Sequence, residues 1–347
     1  MAVSGVLALA GCSLIDDDLS DCGNDYQLDY ELQLVTNLTT ELQTSLTTQT
    51  DISVASSLRT YLGEVFTDFA HDVDLSFYDT HGDSLRLQHD KHIMDANQAS
   101  YTLFLPMRQY MHLAVANVLD NPQVTIASDE RCHTAQLLQV APTLGWARET
   151  RAGSISASHT TGLFTARLPM EVLEGIDQHF DVHLYMVNCS AVLVLDTVGA
   201  HASDYSVLTT GFATGFNIAD STYIFEEPSP LILADTVTTG ADGLLTFCTV
   251  NFPSREPPQT RLIIETVDPF IAPTAEESLW QYIVYVTLPD GTVTRSDIYI
   301  NSPLRAGQLR VVKARVLNDG GVRPTDQTIG VSITTNWNQG GQHNPVL

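Results

Sequence analysis

Residues 280–300 read Trp280-Gln281-Tyr282-Ile283-Val284-Tyr285-Val286-Thr287-Leu288, then Pro289-Asp290-Gly291, then Thr292-Val293-Thr294-Arg295-Ser296-Asp297-Ile298-Tyr299-Ile300. Both flanks are rich in β-branched and aromatic residues, which pack well on a pleated surface and lose χ1 freedom in a helix. Asp-Gly supplies the backbone freedom of a tight hairpin turn. The stretch therefore predicts two antiparallel strands, and it sets the reading of everything around it.

Working outward, the second half repeats this grammar. Strands are predicted over 180–187, 191–195, 206–209, 231–233, 244–250, 261–267, 309–317 and 329–335, with Asp319-Gly320-Gly321 as another turn. Many short strands joined by turns predict an antiparallel β-sandwich. The first half follows suit. Residues 26–35 alternate apolar and polar, with Leu28, Tyr30, Leu32 and Leu34 on one face, and further strands are predicted over 73–78, 85–87, 101–105, 111–118 and 163–168. One helix interrupts them, from Asp51 as N-cap to Ala70, where Leu58, Leu62, Val65, Phe66 and Phe69 recur at helical spacing. A second, short helix is expected over 129–140, and 143–159 reads as a polar loop.

The chain has 347 residues, more than one hydrophobic core usually supports, so two domains are expected, 26–178 and 179–347. Sixteen basic residues against 41 acidic ones give a net charge of −25, with no basic patch. That balance excludes phosphate-backbone recognition of nucleic acid.

Ahead of the first domain lies Leu9-Ala10-Gly11-Cys12, preceded by an apolar run from Val3 and followed by Asp16-Asp17-Asp18. Small residues before a cysteine fit a signal-peptidase groove, and the cysteine supplies a thiol for lipid transfer. Residues 1–11 are read as a signal peptide and 12–25 as a lipidated acidic linker. No Lys or Arg precedes Cys12, so the natural start is expected further upstream. Acyl chains on Cys12 would tether the chain to a membrane; no other cofactor is implied. The acidic triplet Asp16, Asp17, Asp18 is similar to the export signal that carries some lipoproteins to the outer face of the outer membrane. As plain chemistry it is also a solvated linker.

Setting Cys12 aside leaves Cys22, Cys132, Cys189 and Cys248. Four cysteines in an oxidising compartment allow two disulfides in three pairings, of which Cys22–Cys132 and Cys189–Cys248 lie within domains. Buried free thiols are the other reading.

Catalytic and metal signatures are not found. The eleven histidines are dispersed, and the tightest group, His89-Asp90-Lys91-His92, lacks further ligands at recognisable spacing. Gly211-Phe212-Ala213-Thr214-Gly215 lacks the third glycine of a dinucleotide fingerprint, and no nucleophile elbow or Walker loop occurs. The expectation is a non-enzyme with no metal.

Several stretches carry a resemblance: the opening Cys12-Ser13-Leu14-Ile15-Asp16-Asp17-Asp18-Leu19-Ser20-Asp21-Cys22, then Tyr101 to Pro106 leading to His112 to Asn117, and the closing strand Ile329 to Trp337. Together they are similar to the fimbrillin-associated anchor lipoproteins of type V pili. The resemblance implies two tandem transthyretin-like sandwiches, a fimbrillin shaft subunit as partner, and a place at the pilus base on the outer membrane. Shaft pilins of this class lose lipid and first strand by cleavage after an arginine. Here no Lys or Arg occurs before Arg59, inside the predicted helix, so the first strand is expected to stay. A subunit that keeps this strand would donate one elsewhere by β-strand complementation. The candidate donor is 331–347, with Val331 and Ile333 on one face and Trp337 beyond; the same residues also read as the last strand of the second sandwich. A glycan-binding surface lipoprotein is the alternative, with Trp146 and Trp337 in loops and Trp280 reserved for packing.

Overall fold

The computed structural model describes residues 24–31, 52–66, 71–81, 86–93, 100–128, 133–137, 155–174, 176–239, 243–257, 275–276, 278–325 and 333–334. In chain order the first half gives β1 (Asn24–Glu31), α1 (Ile52–Val65), β2 (Asp72–Asp79), β3 (Arg86–Ile93), β4 (Ser100–Leu105), β5 (Gln109–Ala116), β6 (Val124–Ser128), β7 (His133–Leu137), β8 (Ile155–Ala157), β9 (Phe164–Glu171), β10 (Gln178–His183) and β11 (Tyr185–Met186). The second half gives β12 (Cys189–Asp196), β13 (Asp204–Thr210), β14 (Gly215–Asn217), β15 (Thr222–Ile224), β16 (Leu231–Leu233), β17 (Asp235–Thr239), β18 (Leu244–Asn251), β19 (Trp280–Thr287), β20 (Val293–Ile300), β21 (Gln308–Val316), β22 (Val322–Pro324) and β23 (Ile333–Thr334).

The hairpin predicted over 280–300 forms in full. β19 and β20 pair from Trp280↔Ile300 to Thr287↔Val293. Its turn closes through Gly291 N–H to the Leu288 carbonyl at 2.9 Å, with Gly291 at φ +83 and the Thr292 N–H on Asp290 Oδ1 at 2.8 Å. Glycine is needed there because that φ crowds any Cβ.

Two sandwiches result. In the first, the three-stranded sheet β10-β1-β4 and the five-stranded sheet β11-β9-β5-β2-β3 close over α1, with Leu58, Leu62, Val73, Leu75, Phe77, Leu103, Leu105 and Val182 in the core. In the second, the six-stranded sheet β17-β18-β12-β21-β22, with β23 also on β21, faces β20-β19-β13-β16-β8. Its filling is Leu193, Leu195, Phe212, Trp280, Tyr282, Val284 and Val286. Pairing is mainly antiparallel, but β1·β10, β12·β21 and β8·β16 are parallel. Parallel neighbours need long crossovers, and the intervening strands supply them.

The helix ends earlier than predicted, at Val65. Its last carbonyl is taken by the Gly162 N–H and the Thr161 hydroxyl, both at 3.0 Å. A Cβ on Gly162 would stand 2.7 Å from Phe66 Cδ1, so only glycine lets the chain approach this closely.

Two expectations need correction. The short helix expected over 129–140 is instead strand β7, held between β6 and β14; ladder partners on both sides outweigh local propensity. β9 runs through Pro169, at a position where β11 has already ended and only β5 is paired, so the missing N–H breaks no second ladder. The boundary set at 178/179 falls at the start of β10, which pairs with β1, and the change of sheets comes after Met186. The halves also interlock: β14 extends β7, and β8 extends β16.

For Cys189 and Cys248 the sequence leaves a disulfide and buried free thiols both open. Both are free and buried. Cys189 lies in the second sandwich core, while Cys248 faces α1 and the first.

Candidate functional site: the first strand in its groove

β1 is the middle strand of its sheet. It pairs antiparallel with β4 from Asn24↔Leu105 to Asp29↔Ser100, and parallel with β10 from Tyr26↔Gln178 to Glu31↔His183. By register, positions 24, 26, 28 and 30 fall beside Leu105, Leu103 and Tyr101 of β4 and Phe180 and Val182 of β10, five residues that pack on the first core. The alternation of Asn-Asp-Tyr-Gln-Leu-Asp-Tyr-Glu has the two-residue period of a strand. Without β1, two ladders would open and the sheet would separate into β4 and β10. The groove is filled by the chain's own first strand.

A buried polar bracket holds the other pole of this domain. Asn117, at φ +66, accepts the His71 N–H on Oδ1 at 2.8 Å and donates from Nδ2 to the Gly162 carbonyl at 3.1 Å. Asn121 donates to the carbonyls of Asn117 (2.8 Å) and Thr161 (3.1 Å) and accepts the N–H groups of Thr160 (3.0 Å) and Thr161 (3.2 Å). The Asp72 carboxylate takes the N–H groups of Val118 and Leu119; burial raises its pKa and those two donors pull it back. Two asparagines thus tie the start of β2 and the end of β5 to residues 160–162, and Thr161 and Gly162 in turn hold the last carbonyl of α1.

Between the halves, the Tyr61 hydroxyl on α1 donates to Asp235 Oδ2 at 2.8 Å, and burial raises the Asp235 pKa. His159 is 2% exposed, its Nδ1 lies 2.6 Å from Asn188 Nδ2, and burial lowers its pKa to about 3. It is therefore a neutral acceptor for the Asn188 amide. Desolvation pushes both the Cys189 and Cys248 thiols up, leaving them inert as nucleophiles.

Of the residues singled out on sequence, Cys12, Asp16, Asp17, Asp18, Cys22, Cys132, Val331, Trp337 and Trp146 lie outside the described residues. Ile333 falls in β23, where it is registered with Leu309 of β21 in the chain's own sheet. Trp280 is 1% exposed, with Nε1 donating to the Ser302 carbonyl at 3.0 Å, the packing role read for it. His89 lies 2.9 Å from Asp74 Oδ1. The bracket residues Asn117 and Asn121 were not singled out as a site. Asn121-Pro122 gave a turn signal, but the partners of Asn121 lie about forty positions on.

No family model matches the chain, and no curated protein does. Solved structures do. A candidate adhesin from Bacteroides ovatus aligns over 85% of this chain and 88% of its own, at 14% identity and TM-score 0.50. The fimbrial anchor protein Mfa2 from Porphyromonas gingivalis aligns over 87% and 95%, at 12% identity and TM-score 0.47. A Bacteroides thetaiotaomicron protein described as polysaccharide-binding aligns over 84% and 90%, at 10% identity and TM-score 0.45. At such identities the likeness to the first of these shows the fold alone: among the described residues the chain is mostly β, built of sandwiched, mainly antiparallel sheets with one helix.

Proposed function

We propose that this protein is a cell-surface fimbrial lipoprotein that anchors a pilus to the outer membrane through lipid on Cys12. The observation that carries the reading is β1, paired along both sides in the centre of its sheet. A subunit whose groove is filled by its own strand has no acceptor site there and can end a fibre. The absence of Lys and Arg before Arg59, a residue within α1, leaves basic-site proteases nothing to cut between lipid and sheet.

The arrangement also suits a load-bearing role. A pull applied along the axis of β1 would load both hydrogen-bonded ladders in shear at once. Junction to the shaft is assigned to strand donation by 331–347. Among the described residues, β23 lies against β21 through Ile333↔Leu309 and Thr334↔Gln308.

The test is the mass of the mature chain recovered with pili. An N-terminal peptide beginning at acylated Cys12 and continuing through Glu31 supports the reading. A mature N-terminus beyond Glu31 would make the protein a shaft-type subunit.

A further inference from the structure

Exposed large apolar side chains gather at one pole of the first sandwich. Phe104, at the end of β4, is 60% exposed; Met107, in the β4–β5 turn, 47%; Leu173 and Ile176, in the β9–β10 loop, 41% and 52%. Backbone pairing brings these segments together. Gln109↔Glu171 and the Val172 N–H on the Arg108 carbonyl, at 2.9 Å, set the turn against the loop. The Gln178 side chain clamps the loop's base, accepting the Leu173 N–H at 2.8 Å and donating to the Glu171 carbonyl at 3.1 Å. β1 begins between them, with Asn24 opposite Leu105 and Tyr26 opposite Gln178. β4 and β10, one strand apart, are separated by about 10 Å.

We infer that this pole, Phe104, Met107, Leu173 and Ile176, rests on the lipid bilayer to which the chain is tethered. The inference rests on the reading of Cys12 as lipidated. The argument for lipid as occupant is where the chain enters the fold. The link from Cys12 to Asn24 spans at most about 40 Å. It enters the sheet at this pole, and β10 leads away from it toward the second half. A tether that short turns weak apolar contact into an intramolecular event at high effective concentration.

Charge sets the depth. Glu171, Glu174 and Asp177 are exposed around the loop, against Arg108, whose guanidinium is 2.9 Å from Asp79. Acidic side chains favour neutral headgroups over anionic ones and keep the contact at the interface.

The internal controls are Leu119 and Val198, exposed to 59% and 66%. Leu119 follows the far end of β5, and Val198 follows β12 in the second half. The full lipidated chain would be reconstituted in phosphatidylcholine vesicles containing a photoactivatable acyl chain, and lipid adducts mapped by mass spectrometry. Peptides holding Phe104–Met107 and Leu173–Ile176 are expected to carry about fivefold or more adduct than those holding Leu119 and Val198. Phe104→Ser combined with Met107→Ser is expected to remove most of it without unfolding the chain, since both positions are exposed. Equal labelling at the controls, or labelling of none, overturns the proposal, as does cross-linking of this pole to a pilus subunit instead of lipid on cells. The Cys12 peptide in the same digest reports acylation by its mass, so failure of the lipid reading is seen separately.

Discussion

Cys189 and Cys248 sit on neighbouring strands of one sheet with their side chains on opposite faces. Cys189 is registered with Asn251 and Cys248 with Val192, so an odd number of positions separates them along β12. Period-two alternation sends one into the second core and the other toward α1. No rotamer bridges a sheet.

Both thiols should therefore survive export unpaired. Maleimide is expected to leave them unmodified in the folded chain and to modify both after denaturation. A peptide mass for a Cys189–Cys248 link under non-reducing conditions would contradict the register.

His159 makes stability depend on pH. Its folded pKa of about 3 lies below the ordinary histidine value, so the unfolded chain binds the extra proton first. The contribution is complete above the unfolded pKa, near 6.5, and is lost as pH falls toward 3. The loss is roughly 3 kcal/mol by pH 4. Buried Asp72 and Asp235, whose pKa values are raised, act with the opposite sign. The comparison to make is therefore wild type against His159→Gln, which keeps an acceptor for Asn188. Urea midpoints should fall more steeply with acid in wild type; parallel curves would refute the role given to His159.

The legibility of this molecule in its sequence followed locality. Residues 280–300 announce their hairpin because the turn chemistry and both strands are contiguous, and residues 52–65 announce a helix through Leu58, Leu62 and Val65. β14, β15 and β22 are three-residue strands, too short for a periodic pattern even though β15 and β22 pair with near neighbours. β7, at five residues, is little longer, and one of its two partners, β14, lies about eighty positions on. The first strand was legible as a strand, but its central place between β4 and β10 depends on the parallel pairing with residues 178–183. The asparagine bracket was invisible, because single polar residues gain meaning only once tertiary pairing sets Thr161 and Gly162 beside them.

Protease access between lipid and fold is a separate expectation. Under the proposed lipidation of Cys12, trypsin added to outer-membrane vesicles should leave residues 24–31 attached, because no Lys or Arg lies between Cys12 and β1. Ser20→Arg creates a site ahead of β1, and trypsin is expected to release a fragment that still contains Asn24–Glu31. Release of wild type at the same rate would mean that the link is cut by another route.

Strand donation by the C-terminal segment has its own test. Deleting residues 338–347 is expected to abolish copurification with the fimbrillin shaft while leaving the urea midpoint within about 0.5 kcal/mol of wild type. Full retention of the shaft by the truncated chain would remove this segment from the junction.

The measurement that bears most directly on anchoring is the partition of pili between cells and medium in a host carrying Cys12→Ala. With pilin synthesis unchanged, most fibres are predicted to appear in the medium, because the fold stays at the fibre's base while its tether to the membrane is gone. Pili that remain on the cells in wild-type amount would contradict the account.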